Sequence, residues 1–237
     1  MKIAMWSGPR NLSTALMYSF GARSDCAVID EPFYAAYLKK TGFDHPMRAD
    51  VLDSQSQDPD HVISEICGSN PGQKPLYYQK HMTQHMILGI SRSWMKEVRN
   101  VFLIRHPARV IASYAAKRES PTLDDIGFRQ QAELFDEVLE WGGDPVVIDS
   151  HDIRDNPAEM LERLCEAIDI AFSPNMLNWP QGGHPQDGVW ASHWYGAVWR
   201  SSGFAGAEGP LPDVPEHLQP VLKAALPFYE KMTRLKL

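Results

Sequence analysis

The sequence has little cysteine, no long apolar run and no excess of basic charge. Its three cysteines, Cys26, Cys67 and Cys165, lie far apart with no C-x-x-C spacing. So few and so scattered, they give no disulfide framework and predict free thiols in a reducing compartment, the cytoplasm. No apolar run approaches the roughly 18 residues needed to cross a bilayer, so no membrane span is expected. The opening residues lack the apolar core and small-residue cleavage site of a secretory signal. A net charge of -7 excludes a surface built to grip nucleic acid, although it leaves room for a local basic pocket that holds a small anion. With 237 residues, 43% of them hydrophobic and 22% charged, the chain is long and apolar enough for one good-sized core. A single domain over 1–237 is expected, with irregular insertions near 41–75 and 178–212.

Short apolar runs alternate with helical periods. The run at 2–7 ends in Gly8-Pro9 and reads as a buried first strand; 12–20 follows with Leu12, Ala15, Leu16 and Phe20 at helical spacing. A second strand is predicted at 26–29, closing on Asp30-Glu31-Pro32, with a helix after it because Phe33, Tyr37 and Leu38 share a face. Residues 41–60, rich in Asp, Gln, Ser and Pro, read as a surface excursion, and 61–67 as a short helix. Further strands are predicted at 75–80, 101–104 and 145–148. Helices are predicted from 110, over 123–141, from Asn156 to about Ile168, and over 215–232, where Pro220 and Pro227 are expected to kink or split the last one. Asn156-Pro157-Ala158-Glu159 carries an N-cap, an N1 proline and an N3 acid. Such alternation predicts an α/β fold of three layers, a mostly parallel central sheet flanked by helices. Ligands then sit at the carboxyl ends of the strands.

The residues with chemistry fall at those ends. Ser7–Thr14 turns a strand into a helix N-terminus, where unpaired backbone N–H groups and the helix dipole favour an anion. Ser13 and Thr14 add hydroxyl donors and Arg10 adds a charged fork of donors. Alone, such a loop is also an ordinary helix cap. Against the Walker A pattern, the second glycine and the lysine are replaced by Ser13 and Thr14, and the strand at 101–104 ends in Arg105 rather than an acid able to hold Mg²⁺. A cradle without metal machinery favours a donor whose transferred group needs less charge neutralisation than a γ-phosphate. The second element is Arg105-His106-Pro107, with Ser113 two helical turns along; Arg105 and Ser113 converge on one anion if the chain bends between them.

Taken together the two elements resemble the sulfotransferase superfamily, which transfers the sulfuryl group of 3′-phosphoadenosine 5′-phosphosulfate (PAPS). The resemblance is carried by residues 1–20 and 100–118. It implies a P-loop NTPase-like fold, PAPS or its product PAP as co-substrate, and no metal. It also implies a 5′-phosphosulfate held by Arg10, Asn11, Ser13 and Thr14, and a 3′-phosphate held by Arg105 and Ser113. The family's Gly-Thr-Thr centre is Leu12-Ser13-Thr14 here, and its adenine-stacking aromatic is Ala15. A general base is needed to deprotonate an acceptor hydroxyl or amine. Glu31 is placed like the catalytic glutamate of the carbohydrate-type enzymes. His81 is placed like the histidine of the small-molecule branch, with Lys80 like its partner lysine. Both candidates stay open. His81 and His85 have i, i+4 spacing, but no third ligand is evident and no metal is expected.

Residues 178–204 hold four of the seven tryptophans, Trp179, Trp190, Trp194 and Trp199, and predict either an acceptor wall or packing onto the sheet. Arg200, in Trp-Arg-Ser-Ser-Gly, resembles the basic loop that closes over the 3′-phosphate. The expected partner is a small-molecule, sugar or lipid acceptor; a homodimer is compatible with the sequence. The alternatives are a Mg²⁺-dependent P-loop phosphotransferase and a non-catalytic nucleotide-binding module.

Overall fold

The structure, a computed structural model, describes residues 1–116 and 120–237. Its elements, in chain order, begin with β1 (Lys2–Ser7), α1 (Ser13–Gly21), β2 (Cys26–Asp30), α2 (Tyr34–Thr41), α3 (Arg48–Ser54) and α4 (Pro59–Cys67). They continue with β3 (Leu76–Met82), β4 (Arg99–Ile104), α5 (Pro107–Ala115), α6 (Leu123–Ile126), α7 (Phe128–Glu140) and β5 (Val146–Asp149). The chain ends with α8 (Ser150–Asp155), α9 (Pro157–Ala167), α10 (Ala191–Trp194), α11 (Gly196–Trp199) and α12 (Gln219–Thr233). All five strands are parallel in the order β2-β3-β1-β4-β5, so β1 lies at the centre.

Strand alternation explains the two cores. Ile3 and Met5 of β1 join Leu16, Phe20, Leu161 and Leu164 on the face covered by α1 and α9. Ala4 and Trp6 point the other way, to Phe33, Trp94, Phe135 and Val138. Each fully buried side chain of this size contributes about 1.5–3 kcal/mol, so a one-residue slip of β1 would exchange both faces at once. The α/β class, the parallel sheet and the flanking layers are as the sequence predicts.

Three local expectations are corrected. Residues 41–60 are not wholly an excursion: α3 forms there, because Val51 finds full burial against Leu38 and Tyr37, and α4 starts at Pro59 under an Asp58 cap. The predicted helix over 123–141 breaks at Gly127, which is left-handed (φ 73°). A Cβ there would lie 2.5 Å from Thr83 Oγ1, while one on Gly8 would lie 2.3 Å from Ile126 O. The break therefore lets the loop after β1 and the end of β3 close on α6 and α7. The final helix begins at Gln219 and runs through Pro227 without splitting.

Candidate active site

The loop after β1 is held in an uncommon backbone conformation. Arg10 and Leu12 both have left-handed φ, 62° and 73°, at about 1–3 kcal/mol each for non-glycine residues. Three long-range bonds fix it: Asn11 Nδ2 donates to Leu103 O at 3.2 Å, Arg10 Nε to Ser113 Oγ at 2.8 Å, and Arg105 Nη1 to Arg10 O at 2.5 Å. Leu12 ends the loop and makes no side-chain cap, so the first N–H groups of α1 face a cavity of about 320 Å³ without a side-chain acceptor. Arg10, Asn11, Ser13, Thr14, Arg105 and Ser113 all line that cavity. The bend needed between Arg105 and Ser113 is made by Pro107, which opens α5, and by the His106 ring, which caps Ala108 N at 3.2 Å.

A further cation and a carboxylate come from distant segments. Arg154, on α8, lines the cavity and donates to Glu208 Oε1 at 2.8 Å; Arg105 Nη2 donates to the same oxygen, and Arg109 Nε pairs with Oε2 at 3.0 Å. Burial raises the Glu208 carboxyl, but the three guanidinium groups outweigh it and hold it below the ordinary range. Burial, with Arg105 nearby, lowers Arg10. Arg105 Nε and Asn11 Oδ1 are buried with no hydrogen-bond partner among the described residues. Phosphate or sulfate oxygens fit such a donor set: the charges, the uncapped helix start and an orphaned N–H all suit an anion.

At the other end of the cavity the ends of β2 and β3 meet. Lys80 Nζ donates to Asp30 Oδ1 at 2.8 Å, Glu31 Oε1 at 2.6 Å and Tyr195 OH at 2.6 Å. Lys80 is 1% exposed, so all three ammonium protons are used in a dry site. Burial alone would lower it; Asp30 and Glu31 reverse that and raise it. Glu31 is left-handed at φ 44°, which turns its carboxyl back over β3. Burial raises that carboxyl above the ordinary range; Lys80 opposes the shift and Asp30 adds to it.

His81 is placed elsewhere. Lys80 and His81 are adjacent on β3, so their side chains leave opposite faces of the sheet. Lys80 reaches the cavity, whereas His81 stacks on Trp6 at 4.6 Å, lies 5.1 Å from Trp94, and contacts Gln79 Oε1 at 3.2 Å. Burial pushes its pKa down to about 3. His85, which the sequence offers only as half of a metal spacing, does line the cavity, between Tyr34 at 4.7 Å and Tyr37 at 4.8 Å. Arg200 is exposed and is not among the residues lining the cavity.

Residues 178–204 divide between the cavity and the core. Trp190, Trp194 and Tyr195 line the cavity. Trp179 packs into the sheet core against Tyr18 and Phe204. Asp187 Oδ2 anchors the segment, accepting from Tyr18 OH at 2.6 Å and Trp199 Nε1 at 2.9 Å. Alternation along β3 was the available signal for separating Lys80 from His81. Nothing in the sequence marks Arg154, Glu208 or the hydroxyl of Tyr195.

A family model described as "Sulfotransferase domain" matches residues 1–235. Two Arabidopsis thaliana proteins, branched-chain-amino-acid aminotransferase-like proteins 1 and 2, are 35% and 34% identical over 227 residues, 96% of this chain. The chain spans 40% of the length of these relatives. Among solved structures, the sulfotransferase domain of the Synechococcus PCC 7002 olefin synthase superposes with a TM-score of 0.54 at 16% identity, covering 94% of both chains. That of the curacin biosynthetic pathway gives 0.52 at 15% identity, covering 94% of this chain and 96% of that one. At such identities these two show a common fold.

Proposed function

The chain belongs to the sulfotransferase-domain family, and on that premise we propose that it moves a sulfuryl group from PAPS to a hydroxyl or amine of a small-molecule, sugar or lipid acceptor. The observation that carries this reading is that one cavity joins the anion cradle to the Lys80–Glu31 pair. PAPS supplies an already activated sulfuryl group. Arg10, Asn11, Ser13, Thr14 and the start of α1 hold the phosphosulfate, and Arg105 with Ser113 holds the 3′-phosphate. Glu31 takes the proton from the acceptor oxygen or nitrogen. It lines the cavity, and burial raises its pKa, which makes it a stronger base than a free glutamate. Lys80, its three protons engaged by Asp30, Glu31 and Tyr195, acts through its positive field alone to offset the charge that develops on the bridging oxygen as its bond to sulfur breaks and the acceptor–sulfur bond forms. The reading has no role for His81, which is shielded by Trp6 and Trp94, nor for Arg200.

Calorimetric titration with PAP tests the donor. Wild-type protein binds PAP without added Mg²⁺, and Arg10→Ala and Arg105→Ala each abolish the heat signal. Unchanged affinity in both variants, or binding of ATP with Mg²⁺ in place of PAP, overturns the reading.

A further inference from the structure

Asp30, one residue before Glu31, is buried behind the cavity wall that Glu31 lines, and its bonds explain why Glu31 stands where it does. Asp30 Oδ1 accepts from Lys80 at 2.8 Å; Oδ2 accepts from Tyr195 OH at 2.8 Å and from Gly188 N at 3.2 Å. Its side chain is 1% exposed, so it has no solvent to rely on. Tyr195 OH in turn accepts from Trp190 Nε1 at 3.0 Å and from Lys80, which fills both of its lone pairs and leaves its single proton for the carboxylates, of which Asp30 Oδ2 at 2.8 Å is nearer than Glu31 Oε1 at 3.3 Å. Each polar atom of this set has a partner, and the set is closed on three sides. Glu31 is the open side. Its Oε1 accepts from Lys80 at 2.6 Å and lies 3.3 Å from Tyr195 OH, so that oxygen is engaged on the buried side, and Glu31 itself lines the cavity.

The geometry points to Asp30 as a positioning residue for proton transfer: clamped by Tyr195 and the Gly188 amide, it fixes Lys80 Nζ against Glu31 Oε1 and so leaves Glu31 Oε2 as the oxygen presented to the acceptor. Gly188, Trp190 and Tyr195 all belong to the segment 178–204. The carboxylate pair is therefore completed by a segment more than 150 residues away, with Asp30 and Tyr195 separated by 165 positions. One ammonium between two carboxylates leaves the set one negative charge in excess when both are ionised. A proton then returns most readily to the carboxylate that faces the cavity. The charged and titratable groups facing Glu31 are Asp30 from β2, Lys80 from β3, Tyr195 after α10 and Tyr34 of α2.

The inference rests on Glu31 being the proton acceptor, but its test needs neither donor nor acceptor. Glutamate labelled with carbon-13 at the carboxyl gives an NMR titration of Glu31, assigned by its loss in Glu31→Gln. In wild-type protein the Glu31 carboxyl titrates above the ordinary glutamate value of about 4.3. Asp30→Asn removes the like charge and leaves Lys80 to Glu31 alone, so the midpoint moves down, on the order of one pH unit. An unchanged midpoint in a folded Asp30→Asn protein overturns the proposal. A second signature covers a variant that does not fold: the Lys80 ammonium, fully hydrogen-bonded, gives a protected nitrogen-15 signal that is lost in Tyr195→Phe. Persistence of that signal rejects the clamp. PAP titration of the same variants separates this from the donor reading. If wild-type protein binds no PAP while the titration behaves as described, the donor assignment fails and Asp30 keeps its role.

Discussion

The two ends of the cavity solve opposite electrostatic problems with the same groups. At the anion end Arg105, Arg109 and Arg154 face the carboxylate of Glu208 while Arg10 bonds to Ser113 beside them, and positive charge is in excess. At the proton end the ammonium of Lys80 faces Asp30 and Glu31, and negative charge is in excess. The anion end is partly open, with Arg105 and Arg154 side chains 18% and 22% exposed, so its surplus can be satisfied by a ligand entering from solvent. The proton end is dry, and its surplus makes the Glu31 carboxylate a stronger base than an exposed one. Burial thus decides whether an unbalanced cluster recruits an ion or shifts a pKa.

The largest expected effect breaks the proton end. Lys80→Met leaves Asp30 and Glu31 buried without a counter-charge, and removing one partner of a buried pair costs about 3–5 kcal/mol. Urea unfolding at two pH values checks the cause. In the variant the Glu31 carboxyl, already raised by burial, loses the opposing ammonium and is pushed up further. A raised folded-state value is a stabilising contribution that is present below the unfolded pKa and disappears as pH rises through the folded one. The deficit against wild type is therefore larger at pH 8 than at pH 5. Equal deficits at both would assign the loss to packing alone.

The next effect separates the ends. Glu31→Gln keeps the shape and a hydrogen-bond acceptor for Lys80 but cannot take a proton. Turnover of PAPS, with any acceptor that supports it, falls about 10²–10⁴-fold, the usual contribution of a positioned base. PAP affinity measured by calorimetry stays within about twofold, since 1.4 kcal/mol is a tenfold change and the hydrogen bonds of the Glu31 side chain run to Lys80 and Tyr195 at the other end of the cavity. A parallel loss of affinity would mean the two ends are not independent.

The same contrast explains what the sequence disclosed. The cradle was legible because its parts are local: a strand, a loop and a helix start within residues 2–21, and a second strand end at Arg105. Each is a backbone event with its own residue signature. Helices in 41–60 were not legible, because α3 depends on burying Val51 against α2 rather than on its own composition. The proton end was half legible. Glu31 and Lys80 follow strands, but the choice between Lys80 and His81 is set by which face of β3 meets the cavity, and that depends on register against β1 and β2. Arg154 and Glu208 were hidden because their bonds span 54 and 103 positions and leave no periodic trace.

The smallest effect concerns Glu208, and its sign is informative. Glu208 holds Arg105, Arg109 and Arg154 through a side chain only 2% exposed, in a segment without regular secondary structure. A phosphate binding to Arg105 and Arg154 has to displace that carboxylate. Charge-assisted bonds to a carboxylate are worth about 1.5–3 kcal/mol each, more than bonds to a neutral amide. Glu208→Gln therefore weakens the competitor while keeping its shape, and PAP affinity rises by roughly 3–10-fold, with a steeper dependence on salt because more uncompensated arginine charge meets the phosphates. If Glu208 instead serves to hold the three arginines in place for the donor, the same substitution loosens them and affinity falls. Calorimetry at two ionic strengths distinguishes the outcomes, since competition and scaffolding predict opposite signs for the same conservative change.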